Sequence, residues 1–355
     1  MNRVVMFALF FLVFLSIYGL LNYYVLWRLA TLFGVKRNLA FYVLLAALTL
    51  SFLAAMLLES RAGGVLGSAA YSGAMTWMGA VFILACLLAL HELVRLLLPL
   101  APRTYGIIVL AVGFILVVGS LVNGALLSVK EVELTSPKIR QQLRLVQVTD
   151  VHLGPIRDDA YIGRIIEKVK ALRPDAVLIT GDLIDGPGTY DPRTIQRFDS
   201  IGAPVFFITG NHEGFAGLPL IEQLLNRTSI RWLRDEAVNF RGITLIGIDD
   251  SDDRKAVAQT LARMPIDEKR YALLLYHRPG AFAYLDGVDL VLSGHAHAGQ
   301  IFPFNLIEYP FEHPVSGLHR RGDMAIYVSD GTGTWGPPMR LGSSNEITLI
   351  TLKPA

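Results

Sequence analysis

The sequence predicts a two-part chain, an α-helical membrane region of four transmembrane helices followed by an α/β domain. Three observations carry that prediction. Between Val4 and Leu127 lie four apolar runs joined by short polar connections, each long enough at about 1.5 Å per residue to cross roughly 30 Å of hydrocarbon. Beyond them the pattern changes to short aliphatic runs alternating with helix-like segments, the order expected of a sheet with parallel neighbours. Finally, five of the short runs end in side chains whose donor atoms suit a metal ion.

Composition sets the outer bounds. The 355 residues are 53% hydrophobic and 17% charged, with a mean hydropathy of +0.46, which is too apolar for a wholly soluble protein. A net charge of +2 and the lack of any basic motif give no nucleic-acid signal. The single cysteine, Cys86, excludes an intrachain disulfide and a cysteine-based metal cluster.

The first span is expected from Val4 to Trp27. It is too long for a cleaved signal peptide, and no small-residue cleavage site follows it. A second runs from Leu39 to Leu58 after the basic link Val35-Lys36-Arg37-Asn38. A third runs from about Met75 to Leu98, and a fourth from about Tyr105 to Leu127, with Pro99, Pro102 and Arg103 between them. Arg95 lies within one helical turn of His91 and Glu92, so an ion pair near the helix end is expected there rather than a transport role. Arg28, Lys36, Arg37 and Arg103 in the first and third connections outnumber Arg3 and Arg61 on the other side. Short loops rich in Lys and Arg stay cytoplasmic, which puts both chain ends outside. Lys130, Lys138 and Arg140 pull the other way.

The expected division is a membrane anchor over 1–128, a polar linker over 129–142 and the α/β domain over 143–355. The clearest helix of that domain runs from about Asp159 to Leu172, with Asp158 or Asp159 as N-cap and Pro174 beyond its end. Further strands are expected at Ile243 to Ile248, Ala325 to Val328 and Ile347 to Leu352. In open α/β sheets ligands bind beyond the carboxyl ends of the strands. The five loops there carry Asp150 and His152, Gly181-Asp182, Gly210-Asn211-His212-Glu213, His277, and Gly294-His295-Ala296-His297.

Carboxylate, amide and imidazole donors without thiolates suit two divalent cations such as Mn²⁺, Fe or Zn²⁺ rather than a structural zinc cluster. Two such ions about 3.5 to 4 Å apart activate a water and neutralise a phosphoryl group under in-line attack. Singly, His277 reads as a buried structural histidine and Asp182 as a turn residue; as a set they read as ligands. Asp249, Asp250, Asp252 and Asp253 lack the spacing of a calcium loop and read as a solvated acidic loop.

Taken in order, Asp150-x-His152, Gly181-Asp182, Gly210-Asn211-His212-Glu213, His277 and Gly294-His295-x-His297 resemble the motifs of the calcineurin-like metallophosphoesterases. The resemblance extends from about Leu143 to the C-terminus. It points to the bacterial membrane-associated branch through Gly331-Thr332-Gly333, Pro338, Arg340 and Glu346-Ile347, and leaves the four spans uncovered. It implies two mixed sheets flanked by helices, a place in the bacterial cytoplasmic membrane, and hydrolysis of a phosphomonoester, phosphodiester or pyrophosphate. It also implies that Asp150, His152, Asp182 and His297 hold one ion, and that Asp182, Asn211, His277 and His295 hold the other, with Asp182 bridging. His212 then stabilises the transition state or protonates the leaving oxygen, a role that suits an imidazole. Glu213 is expected to support its loop.

Arg340 is a candidate for gripping a phosphate oxygen, with a surface role as the alternative. The apolar segment around Phe302 and Phe304 is expected to wall a cleft for an apolar substrate part, to touch the bilayer, or to pack in the core. With four spans and a short connection to the site, a phosphorylated lipid is the expected substrate. The alternatives are a phosphatase or phosphodiesterase acting on soluble or protein substrates and a non-catalytic scaffold. The spans carry too few polar residues to favour a transporter, and oligomeric state is not legible.

Overall fold

The computed structural model describes residues 3–186 and 188–355, which divide into two compact units. Four helices make up nearly all of the first: α1 (Arg3–Phe33), α2 (Leu39–Ala62), α3 (Gly64–Val94) and α4 (Pro102–Ala125). Each is long and apolar enough to cross a membrane, and α3 is the central one, with 44% of its most apolar window buried against 17%, 17% and 28% for α1, α2 and α4. Gly67, Ala74, Gly79 and Ala85 lie on its buried side, where small residues let helices approach closely. The buried Asn22 is satisfied: its amide nitrogen donates to Tyr18 O at 2.9 Å and its oxygen accepts from Trp77 Nε1 at 2.9 Å.

Asn38 caps α2 by accepting from Phe41 N, and Gly63, at φ 54°, separates α2 from α3. The third span therefore begins at Gly64 and not near Met75 as expected. The small residues after Gly64 resemble loop chemistry, but lipid offers no partner for a free peptide group, so the helix continues through them. Glu92 accepts from Arg95 at 2.8 Å and also pairs with Arg28 of α1, so the expected ion pair joins two helices.

The second unit contains two six-stranded mixed sheets. Its elements in order are β1 (Ser128–Ser136), β2 (Leu143–Val148), α5 (Asp159–Ala171), β3 (Ala176–Thr180), α6 (Pro192–Gln196), β4 (Val205–Ile208), α7 (Asn211–Ala216), α8 (Leu218–Leu225) and β5 (Arg231–Trp232). They continue as β6 (Glu236–Phe240), β7 (Ile243–Gly247), α9 (Arg254–Ala262), β8 (Ala272–Leu275), β9 (Leu290–Ser293), α10 (Phe304–Glu308), β10 (Gly317–Arg321), β11 (Met324–Val328) and β12 (Glu346–Pro354). The first sheet runs β1-β12-β2-β3-β4-β5 and the second β10-β11-β9-β8-β7-β6. In the first, β2 to β5 are parallel and β12 is antiparallel to β2. In the second, β7, β8, β9 and β11 are parallel, with antiparallel β6 and β10 at the edges.

Period-two alternation builds the layers. Leu143 and Leu145 of β2 enter the core between the sheets, where they join Leu178, Phe206, Leu273 and Leu292. Val146 and Val148 face the opposite way and pack with α5 and α8, and α9 covers the outer face of the second sheet. Fully burying each such side chain contributes about 1.5–3 kcal/mol. Helix α5 has the expected bounds within a residue: Asp158 accepts from Tyr161 N at 3.1 Å, and Tyr161, Ile162, Ile165, Ile166 and Val169 form its buried stripe.

The stretch expected as a linker, 129–142, instead contains β1, which pairs in parallel with β12 from Ser128↔Glu346 to Ser136↔Pro354. Its sequence is mostly polar because it is an edge strand with only Leu134 fully buried. Leu126 and Leu127 alone separate α4 from β1, and the boundary between the compact units falls at Val122 and Asn123.

Candidate metal centre

The candidate ligands converge from both sheets at the carboxyl ends of parallel strands. Asp150 and His152 follow β2, Asp182 follows β3, and Asn211 opens α7 after β4. His277 follows β8, and His295 and His297 follow β9. Gln147, one residue short of the end of β2, ties the two sheets together beneath them by donating to Thr180 Oγ1 at 2.8 Å and to Ser293 O at 3.0 Å.

The backbone at this end is strained. Asp150, His152, Asp182, His295 and His297 all have positive φ, between 49° and 72°, a region that non-glycine residues occupy only where the surroundings over-determine it. Glycines provide the close approaches. A Cβ on Gly210 would lie 2.2 Å from Asp182 Oδ1, and one on Gly294 would lie 2.1 Å from Asp150 Oδ2.

The donor atoms form three groups, each within 4.8 Å: Asp150 with His152 and His297, Asp182 with His277 and His295, and His152 with Asp185 and His212. Between them, His152 Nε2 lies 3.0 Å from His297 Nε2, and Asp182 Oδ2 lies 3.2 Å from His277 Nε2 and 3.9 Å from His152 Nε2. The donor set fits divalent ions. His277 Nδ1–H donates to Thr180 O at 2.8 Å, which aims its Nε2 into the cluster, and that Nε2 is buried without a hydrogen-bond partner, as is Asn211 Oδ1. Buried polar atoms are otherwise almost always paired, so Asn211 Oδ1, and His277 Nε2 once it has given up its proton, are donors that a cation could use.

Charge in the cluster is arranged accordingly. Burial works against the His277 imidazolium, but Asp182 and Asp150 outweigh it and lift the group to about 10. His295 is held well below the usual range by burial and by His277, and His297 by burial and by the Arg340 guanidinium; both are neutral, as imidazole ligands must be. Although burial opposes it, Asp182 is held well below the usual carboxylate range by His277, His212 and His152. Glu213 holds the loops: its carboxylate accepts from the backbone N–H groups of Asp182 at 2.9 Å, Leu183 at 2.8 Å, Ile184 at 3.2 Å and Gly210 at 2.7 Å. Burial, then Asp182, pushes its carboxyl up to about 7.

His212 lies beside this cluster. Its backbone N–H donates to Asp182 Oδ1 at 2.9 Å and its Nδ1–H to Asp185 O at 2.9 Å, while Nε2 lies 4.0 Å from Asp182 Oδ2. Burial lowers its pKa and Asp182 pulls it back. Asp185, not singled out from sequence, has Oδ1 3.3 Å from His152 Nδ1. The available signal was its place three residues after Asp182 in Gly181-Asp182-Leu183-Ile184-Asp185.

Two expectations need correction. Arg340 is 1% exposed, and its guanidinium is committed internally: Nε donates to Asn345 Oδ1 at 2.8 Å, Nη1 to His297 O at 2.7 Å and Nη2 to Gly333 O at 2.6 Å. It braces the histidine loop from behind and has no fork left for a phosphate oxygen. The acidic run at Asp249 is solvated only in part, with Asp252 and Asp253 exposed and the others held by partners. Asp249 accepts from Thr209 Oγ1 and Trp232 Nε1, each at 2.9 Å, Asp250 pairs with Arg278 at 2.7 Å, and Asp253 caps α9. Phe302 and Phe304 lie outside the buried cluster on an exposed apolar segment around α10, which buries none of its residues, so ordinary core packing does not describe it. Phe302 is 53% exposed and Phe311 66%.

Two facing mixed sheets with histidines, aspartates and an asparagine converging at their strand ends define a metal-dependent phosphoesterase fold. Residues 143–299 match the family model of the calcineurin-like phosphoesterases. The chain is 31% identical to an uncharacterized metallophosphoesterase of Campylobacter jejuni over 98% of its own length and 99% of that protein. It is 34% identical to an uncharacterized metallophosphoesterase of Helicobacter pylori over 64% of each chain, and 33% identical to a Danio rerio transmembrane protein with metallophosphoesterase domain over 70% of this chain and 63% of that one. The chain belongs to the calcineurin-like metallophosphoesterase family.

Proposed function

We propose that this is a membrane-anchored phosphoesterase that uses two divalent ions to hydrolyse a phosphoester or pyrophosphate bond of a lipid-linked substrate. The observation that carries the metal reading is the packing of donor atoms from Asp150, His152 and His297 and from Asp182, His277 and His295 into two groups, each within 4.8 Å, with the buried Asn211 Oδ1 left without a hydrogen-bond partner. Asp150, His152, Asp182 and His297 would hold one ion and Asp182, Asn211, His277 and His295 the other, with Asp182 shared. Bound ions would polarise the phosphoryl group and lower the pKa of a water. The chain's own residues orient the reaction. Asp185 O fixes the His212 ring so that Nε2 exchanges the proton of the reacting oxygen, and Glu213 locks the Asp182 and Asn211 loops in register.

Two features support a lipid-borne substrate. The exposed apolar segment from Phe302 to Phe311 begins five residues after His297. The two-residue connection between α4 and β1 also limits how far the domain's first strand can lie from the end of a membrane-length helix, at about 3.3–3.6 Å per residue. The basic residues Lys36, Arg37 and Arg103 against Arg61 favour an extracytoplasmic domain; Arg28, paired with Glu92, counts for less. Purified protein in detergent, loaded with Mn²⁺, is expected to hydrolyse lipid-linked pyrophosphates or phosphates together with aryl phosphate reporters. No hydrolysis of any phosphoester by metal-loaded protein would overturn the proposal.

A further inference from the structure

The last turn of α4 belongs to the same compact unit as the metal cluster. A helix end leaves its final carbonyls without intrahelical partners, and here that unit's side chains supply them. Gly124 O accepts from Arg157 Nη2 at 2.8 Å and from Asn345 Nδ2 at 2.7 Å, and Leu126 O accepts from Asn345 Nδ2 at 3.1 Å. Arg164 reaches Ala125 O at 3.2 Å. Capping alone explains Arg164, while Arg157 also donates to Thr334 Oγ1 at 2.9 Å. Capping does not explain where the other contacts lead.

Asn345 is buried, and its amide is fully used: Nδ2 donates to Gly124 O in the last turn of α4 and to Leu126 O just beyond it, and Oδ1 accepts from Arg340 Nε at 2.8 Å. A flipped amide would set donor against donor, so the orientation is fixed. Arg340 then grips the histidine loop, donating through Nη1 to His297 O at 2.7 Å. A second route runs in parallel. Asn123, in the last turn of α4, donates through Nδ2 to Arg340 O at 3.1 Å and to Ser343 O at 2.8 Å, and Ser343 Oγ donates to Gln300 O at 2.9 Å. Both routes end on the turn from His297 to Gln300, where His297, Ala298 and Gln300 have φ of 49°, 52° and 49°. Three consecutive or near-consecutive residues in that region persist only when held from outside, and the holding groups lead back to α4.

We propose that Asn123 and Asn345 are positioning residues that fix His297 on the end of membrane helix α4, through Arg340 and Ser343, so that this helix end is part of the scaffold of the metal site. The inference rests on His297 being a metal ligand. Outer groups that orient a ligand typically change metal affinity by about 10- to 100-fold when removed. That is the effect expected here.

The test uses the full chain in detergent or nanodiscs and titrates Mn²⁺ into metal-free protein by calorimetry. Asn123→Ala and Asn345→Ala are expected to weaken Mn²⁺ binding about 10- to 100-fold, while Arg164→Ala, which removes a contact to the same helix turn that does not lead to His297, binds as the wild type does. His297→Ala serves as the reference. If it binds Mn²⁺ like wild type, the reading of His297 as a ligand is wrong. If it is defective while Asn123→Ala and Asn345→Ala bind normally, the positioning role alone is overturned. Should Asn345→Ala not fold, Asn345→Asp keeps its size and its contact to Arg340 but loses both donors to the end of α4 and the residue beyond it, and carries the same expectation. Equal weakening by Arg164→Ala would reduce the effect to helix capping and overturn the proposal.

Discussion

At the scale of single residues, charge and geometry separate the roles of neighbouring side chains. Asp182 stands between His277 Nε2 at 3.2 Å and His152 Nε2 at 3.9 Å, so a neutral amide there would face two cations poorly. Asp182→Asn is expected to cost more metal and activity than any other single ligand change, read by elemental analysis and initial rates; retention of both would remove Asp182 from the bridging position. His212 Nδ1 is tied to Asp185 O, and although its ring groups with His152 and Asp185, it stands outside the ligand set proposed above. His212→Ala is therefore expected to keep its metals while kcat falls by roughly 10²- to 10⁴-fold, and loss of metal in that variant would make it a ligand. The His277 imidazole, lifted to about 10 without metal, must lose its proton to offer Nε2 to an ion. Below that pKa each ion bound there displaces a proton, so metal affinity is expected to rise with pH from 6 towards about 10. In metal-free protein the same proton contributes stability that is full below the unfolded pKa of about 6.5 and is lost as pH rises through about 10. An affinity flat across that range would contradict this protonation state. The candidate ligands were legible because each is a chemically distinctive residue at the end of an apolar strand. Asp185 was not singled out and Arg340 was expected in a different role, because a carboxylate just past a motif and a guanidinium turned inward differ from surface charges only in three dimensions.

At the scale of elements, the sequence revealed those with strong periodicity or continuous burial. Helix α5 shows its stripe and its cap, and β3, β4, β8 and β9 are buried along their whole length. The edge strands β1, β5, β6 and β10 were not read as strands. They are short or polar because only one side meets the core, and β1 in particular exposes Lys130, Glu131 and Glu133. The loops between strand and site depend on their glycines for close approach. Gly210→Ala would drive a methyl group into Asp182 Oδ1 and the Asp182 backbone N, so it is expected to reduce metal content and lower the melting temperature. A control at Gly214, which has nothing within 4 Å of an added Cβ, is expected to be nearly neutral; melting and metal content unchanged in Gly210→Ala would show that the loop can relax.

At the scale of the whole molecule, the question is why a hydrolase carries four membrane-length helices when one would hold it at a surface. The composition announced the membrane part, and the ordered motifs announced the α/β part. What the sequence hid was the join, where the polar stretch read as a linker is a strand of the sheet and only Leu126 and Leu127 separate it from α4. A linker of fourteen residues, as 129–142 was first read, would let a domain roam about 45–50 Å from its anchor; two residues do not. The exposed side chains of Phe302, Leu306, Ile307, Tyr309 and Phe311 offer apolar surface near His297 in the chain. If these side chains bury part of an acyl or prenyl chain in the transition state, each added CH₂ is worth about 0.8 kcal/mol. Two or three such groups then raise kcat/KM by about tenfold or more. The expected result is a kcat/KM at least about tenfold higher for a long-chain lipid phosphate or pyrophosphate than for its short-chain analogue in the same detergent, with the difference lost in Phe302→Ser/Phe311→Ser but the rate on the short analogue retained. Equal kcat/KM for the two substrates in the wild type would mean that the helices localise the enzyme without selecting what it cleaves.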